Sequence, residues 1–289
     1  MSNSPRWKLR LANDCLFIDD VSLGRNILQH NARPGLRPYI HPLRISNSDS
    51  IVCLTEDSPW HHPWQHGIQS GFHGVNGCDF WFDPGQHPTM EIGTIEPSTP
   101  RITSSEPPAW TIEAIWRHAD GRLLLAESQR WSMSEAAESA SDGALVFLDL
   151  DWTMQAIPDI EIEQHAYGGF FIRMPFRRDV GATVFNSAGQ LGDETEQQPA
   201  RWVNLYMPLE NSQVGAGITV LDHPDNPGHP VKWRVDGQRG INPAPCIPSA
   251  LALPAGAAMR HCYRLVLHGG TLAATQIDAL WVTYTDNKG

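Results

Sequence analysis

The chain has 289 residues, 41% hydrophobic and 18% charged, which excludes a disordered polypeptide and leaves room for a substantial core. Its 21 basic and 32 acidic residues give a formal charge of -11, which argues against the clustered basic face that nucleic-acid binding needs and against anionic lipid surfaces. No apolar run approaches the ~18–20 residues that span a bilayer, and Met1–Asp20 lacks the apolar stretch of a signal peptide, so no membrane partner is expected and the location reads as cytoplasmic.

Taken in order, short alternating segments predict strands at Trp7–Leu11, Cys15–Ile18 and Ile51–Leu54. Gln86–Pro108, rich in Pro, Ser and Thr, reads as a long irregular connection. Strands are then expected at Thr111–Arg117, Leu123–Trp131 and Ala144–Thr153, the last with Val146, Leu148, Leu150 and Trp152 on one face. Ser132–Asp142 reads as a surface hairpin loop between two of them. Further strands are expected at Thr183–Phe185, Trp202–Tyr206, Gly217–Leu221, Val231–Val235 and His261–Leu267. One helix follows, with Ile277, Leu280, Trp281 and Tyr284 on a single face and Thr275 with Asp278 as a weak capping box. Many strands with one helix predict an all-β protein, a large antiparallel β-sandwich with a short C-terminal helix, read as one domain over residues 1–289. Trp116, Trp131, Trp152 and Trp202 are expected to fill its core.

Six of the 13 histidines lie between His41 and His87. Imidazole titrates near neutrality and serves as acid, base or metal ligand, so this concentration marks the candidate site. His62 and His66, four apart, share a face in either a strand or a helical turn, and Trp64 joins them if the segment is extended. An indole beside imidazoles makes an apolar platform with a polar rim, which suits a sugar ring. Asp222 and His223 end an apolar strand at a Pro/Asn/Gly turn, where functional side chains gather; an Asx-type turn is the alternative. Arg173 follows Tyr167-Gly-Gly, whose glycines permit close backbone approach, while Arg130 reads as an ordinary ion pair with Glu127 as a candidate partner. The five dispersed cysteines read as free thiols in a reducing compartment. Phosphate-loop, dinucleotide, serine-hydrolase and His-Glu-x-x-His zinc motifs are missing from the sequence.

Together, Arg37-Pro-Tyr-Ile-His-Pro-Leu-Arg44, His61-His-Pro-Trp-Gln-His-Gly67, Val75-Asn-Gly-Cys-Asp-Phe-Trp81, Tyr167-Gly-Gly-Phe-Phe-Ile-Arg173, Asp222-His-Pro-Asp-Asn226 and Gly240-Ile-Asn-Pro243 resemble the PmoA-like bacterial family of unknown function. The resemblance runs from about Arg37 to the C-terminus and implies a galactose-mutarotase-like supersandwich, a fold associated with carbohydrates. It implies a histidine, His62 or His66, exchanging protons with a sugar alongside a carboxylate, Asp222 or Asp79, while an arginine holds the ligand.

The expectation is thus a carbohydrate-active protein with a small-molecule sugar partner and no cofactor, using His62, His66 and Asp222 for acid–base chemistry. Epimerisation, elimination or glycoside cleavage would each suit it. His41, Arg44, Trp64, Asn76, Asp79, Trp81, Arg173, His223 and Asn242 would bind the ligand. Two alternatives stand beside it: a divalent-metal enzyme using His62, His66 and Asp79 or His41, and a non-catalytic sugar-binding subunit.

Overall fold

The structure is a computed structural model that describes residues 5–47, 50–86, 89–136, 145–210 and 212–286. Two nine-stranded sheets, antiparallel between neighbouring strands, form the body. The first runs Trp7–Ala12, Cys15–Asp20, Arg25–Asn31, Tyr39–Ser46, Ile68–Gly71, Gly169–Ile172, Ile241–Pro243 and Trp233–Val235, with Ile51–Cys53 beside Tyr39–Ser46. The second runs Thr183–Asn186, Trp202–Met207, Ala216–Asp222, Ala258–Gly269, Leu145–Ala156, Leu123–Glu135, Pro108–Arg117 and Thr94–Pro97, with Arg101–Ser105 on Pro108–Arg117. Ile160–Ile162 pairs separately with Leu251–Leu253.

The expected all-β sandwich is what forms. Alternation drives it: Leu148, Leu150 and Trp152 turn inward from Leu145–Ala156 and meet the inward residues of the first sheet in one core. Trp116, Trp131, Trp152 and Trp202 are all buried, as expected. Their indole N–H groups need partners away from water. Buried Glu127 accepts from Trp116 Nε1 and Trp152 Nε1, each at 2.7 Å, while Trp131 donates to Gln129 Oε1 at 2.9 Å.

The helix occupies Ala274–Asp286, and Ile277 packs with Leu280, Trp281 and Tyr284 against Trp202, Leu221 and Val266. Its start differs from expectation. Gln276 Oε1 caps the Ala273 N–H at 2.8 Å, and Asp278 instead receives Arg201 and the buried Trp202 indole, each at 2.9 Å.

Three other expectations are corrected. Gln86–Pro108 contains the edge strands Thr94–Pro97 and Arg101–Ser105, whose exposed alternate residues hid them. Ser132–Glu135 continues the preceding strand, and residues 137–142 of the expected hairpin loop lie outside those described. Glu127 is not the partner of Arg130: an odd separation puts them on opposite faces of one strand, and Arg130 points outward to Asp151 at 3.8 Å. No described helix is long and apolar enough to cross a membrane.

Candidate functional site

The strands Tyr39–Ser46, Ile68–Gly71, Gly169–Ile172 and Ile241–Pro243, which carry or directly follow the motifs, are consecutive neighbours in the first sheet. Segments far apart in sequence therefore deliver their side chains to one region. Gly168 and Gly169 adopt φ of +129° and +111°, and a Cβ on Gly169 would stand 3.0 Å from the Pro243 carbonyl oxygen. The paired glycines thus admit the close approach expected of them.

The loop from Asp57 to His66 is closed by paired backbone at those two residues and tightened by His62 N–H to Pro59 O at 2.9 Å and Gln65 N–H to His62 O at 3.0 Å. It is turned rather than extended, so His62 and His66 enter different surroundings. His66 is buried between two carboxylates, with Nδ1 2.5 Å from Asp57 and Nε2 2.8 Å from Asp83. Burial opposes its charge, but those two hydrogen bonds outweigh it and raise the His66 pKa above the ordinary value. With both nitrogens engaged, His66 is a clamp on the loop base and not the free acid–base group expected.

Arg173 supplies the second clamp. It is 0% exposed. Its guanidinium donates to Gln65 Oε1 at 2.5 and 2.8 Å, to the Gln238 carbonyl at 2.5 Å and to Asp236 at 3.1 Å. Expected to hold ligand, Arg173 instead ties the histidine loop to the turn at Asp236–Gly240. Burial works against the Asp236 charge, yet Arg173 and the Gly240 and Gln238 N–H groups more than offset it and lower its pKa.

Between these clamped segments lies a hollow of about 170 Å³, lined by His62, Trp64, Gln65, Trp81, Phe82, Tyr167, Phe171, Arg234 and Asp236. Trp64 lies 4.2 Å from Phe82, and Trp81 lies 4.9 Å from Tyr167 and 5.2 Å from Phe171, ring centre to ring centre. The indole N–H of Trp64 is buried without a protein partner among the described residues. His62 Nδ1 stands 2.7 Å from His61 Nδ1, so one of the two nitrogens donates and the other accepts. Burial, reinforced by Arg173, lowers the His62 pKa, leaving the ring neutral near pH 7.

Of the expected site residues, His62, Trp64 and Trp81 line this hollow. Asp79 lies behind it, where it caps the N–H groups of Trp81 and Phe82 at 2.9 and 2.8 Å and meets His73 Nδ1 at 3.1 Å. Asn76 and Asn242 serve the backbone: Asn76 bridges Asp159 and Glu161, and buried Asn242 donates to Phe170 O at 2.5 Å and accepts from Gly168 N–H at 3.1 Å. His41 bonds Thr55 Oγ1 at 3.0 Å, and Thr55 lines, with Arg44 and Arg177, a separate hollow of about 660 Å³. That hollow is larger but has no aromatic lining. Asp222 and His223 lie under the C-terminal helix. Asp222 accepts from Asn226 Nδ2 and the Val231 N–H, meets His229 Nδ1 at 2.7 Å and sits where Trp281 reaches its carbonyl at 2.9 Å. It organises that turn through groups four to nine residues ahead, and not through the Asx-type bond to adjacent backbone of its alternative reading. The expected meeting of His41, His62 and His66 in one environment does not occur.

Sequence reasoning missed Asp236, Arg234, Gln65 and Tyr167 as lining groups. The signal was a polar turn, Asp236-Gly-Gln-Arg-Gly240, directly after an expected strand. Among the described residues no three His, Cys, Asp or Glu side chains converge to hold a metal ion, so His62, His66 and Asp79 do not form one site.

Among solved structures, the chain is similar to the GH36 α-galactosidase AgaA from Geobacillus stearothermophilus at 10% identity and a TM-score of 0.36, over 91% of this chain and 41% of that one. A variant of the same enzyme solved with raffinose gives 12% identity, a TM-score of 0.37 and coverage of 92% and 41%. The α-galactosidase from Lactobacillus brevis gives 11%, 0.38, and 94% against 40%. The chain thus spans about two fifths of the length of these proteins. No curated protein matches the sequence. The profile of the family of unknown function DUF6807 matches residues 20–282, and the chain belongs to that family.

Proposed function

We propose that the protein acts on a carbohydrate, seating one sugar ring in the hollow between Trp64 and Trp81, with His62 as the proton-transferring group and Asp236 as its carboxylate neighbour. One observation carries this reading: the hollow combines five aromatic walls with His62, Gln65, Arg234 and Asp236. A pyranose has an apolar face that packs on aromatic rings and a hydroxyl rim that needs donors and acceptors of this kind. The motif resemblance to the PmoA-like family and its mutarotase-like sandwich points the same way.

A neutral His62 can take a proton at working pH, and the Asp236 charge favours the imidazolium as it forms. Glycoside cleavage ordinarily uses two carboxyl groups flanking the bond. Among the described lining residues Asp236 is the lone carboxylate, and Arg173 holds it ionised. The arrangement therefore favours epimerisation or elimination over hydrolysis.

The test is calorimetric titration with a panel of neutral and acidic monosaccharides, with the sugar followed by NMR. Trp64→Ala should weaken binding about tenfold. His62→Ala should keep affinity within a few-fold and lower turnover by about 10²–10⁴. Binding without turnover in the wild type would favour a sugar-binding subunit, and no binding at millimolar sugar would refute the reading.

A further inference from the structure

We infer that the ligand extends beyond the hollow as an oligosaccharide, and that Trp60 is the platform of an outer subsite. The inference rests on the sugar reading above and specifies its substrate class. Three observations converge on Trp60. It is 91% exposed, an unusual state for the largest apolar side chain. The loop that presents it is built rather than slack: it is closed at Asp57 and His66, clamped by the His66 ring, and turned by the Ser58 N–H to Gln65 O bond at 2.9 Å. A rigid backbone thus holds an indole in water.

The third observation is its place in a chain of rings. Trp60 meets His61 at 5.4 Å, His61 meets His62 at 4.9 Å, His62 meets Trp64 at 5.3 Å and Trp64 meets Phe82 at 4.2 Å, centre to centre. The rings therefore form a chain of contacts, edge to face from Trp60 to Trp64 and tilted onto Phe82, that leads from solvent to the hollow wall. The hollow itself, about 170 Å³, falls short of the roughly 300–1,000 Å³ of sites that enclose a larger ligand. A chain of sugars would place one ring inside and pass the next over His61 and Trp60, where indole and imidazole N–H groups meet its hydroxyls. A stacked indole suits this role because it offers broad, rigid area with little side-chain entropy to lose.

The test compares wild type, Trp60→Ala and Trp60→Phe by calorimetry on length series of known linkage: glucose with maltose, maltotriose, cellobiose and cellotriose, and galactose and mannose with their dimers and trimers. In at least one series the wild type should bind the trimer ten-fold or more tightly than the monosaccharide. Trp60→Ala should erase that gain while leaving monosaccharide affinity within two-fold, and Trp60→Phe should keep most of it. An exposed ring can be removed without unfolding the chain, and circular dichroism confirms that. Equal affinity for monomer and trimer in the wild type, or a length gain untouched by Trp60→Ala, would overturn the outer subsite while leaving the inner one standing. A panel in which no sugar binds would remove the sugar reading and this inference together.

Discussion

His62 and His66 are the same side chain four residues apart, and the structure gives them opposite chemistry. Against the opposing effect of burial, hydrogen bonds to Asp57 and Asp83 raise the His66 pKa and favour its protonated form, while partial burial and the nearby Arg173 charge lower the His62 pKa and favour its neutral form. His62 acts as a base only when unprotonated, so activity should be full at neutral pH and fall on the acid side. The apparent pKa of that limb should lie below the ordinary histidine value of 6.5, because burial lowers it. A kcat/KM profile checks this once a substrate is in hand, and an acid limb above 6.5 would take His62 out of the mechanism. The sequence showed that histidines concentrate here but not which is sealed. That difference depends on Asp83, 17 residues beyond His66, and on Arg173, 108 residues beyond Gln65.

At the scale of elements, the hollow exists because two loops are tied across the edge of the first sheet. Arg173 makes that tie with a planar fork of donors reaching Gln65, Gln238 and Asp236 at once. Lysine keeps the charge but not the fork. Arg173→Lys should therefore cost on the order of 3 kcal/mol in urea unfolding, because Asp236 and Gln65 are left incompletely paired. It should also weaken sugar binding although Arg173 touches no ligand. Unchanged affinity in a folded Arg173→Lys protein would show that the tie does not shape the hollow. Strands were legible wherever one face was consistently apolar, as in Leu145–Ala156. They were hidden where Pro42 interrupts Tyr39–Ser46, or where every residue of Ile68–Gly71 is buried and alternation vanishes. The turn at Asp236–Gly240 was legible as a turn, but its role was not, since its partners come from other strands.

The whole molecule carries a cost for its buried imidazoles. Burial lowers the pKa of His30 to about 3 and of His261 to about 4. His30 accepts the Trp110 indole N–H at 3.0 Å, and both ring nitrogens of His261 lack protein partners among the described residues. For both, the folded pKa lies below the unfolded value near 6.5. Their stabilising contribution is therefore fully present above that pH and is lost as pH falls toward 4, because unfolding takes up protons. Fully titrated, these shifts are worth about 5 kcal/mol for His30 and about 3 kcal/mol for His261. His66 has the opposite sign: its contribution is complete below 6.5 and is lost only as pH rises through its elevated folded pKa. The melting temperature should drop steeply between pH 6.5 and 4.5, and His261→Phe should flatten that slope by one proton's share. A pH-independent melting temperature across this range would contradict it.

The position of a bound sugar ring separates the aromatic hollow from every other surface of the molecule. A crystal structure with a bound mono- or oligosaccharide from the titration panel decides it most directly. The expected result is a ring packed between Trp64 and Trp81, with hydroxyls at His62 and Asp236. A ring found instead in the larger hollow beside Arg44 and Arg177, with the aromatic hollow unoccupied, would contradict the account.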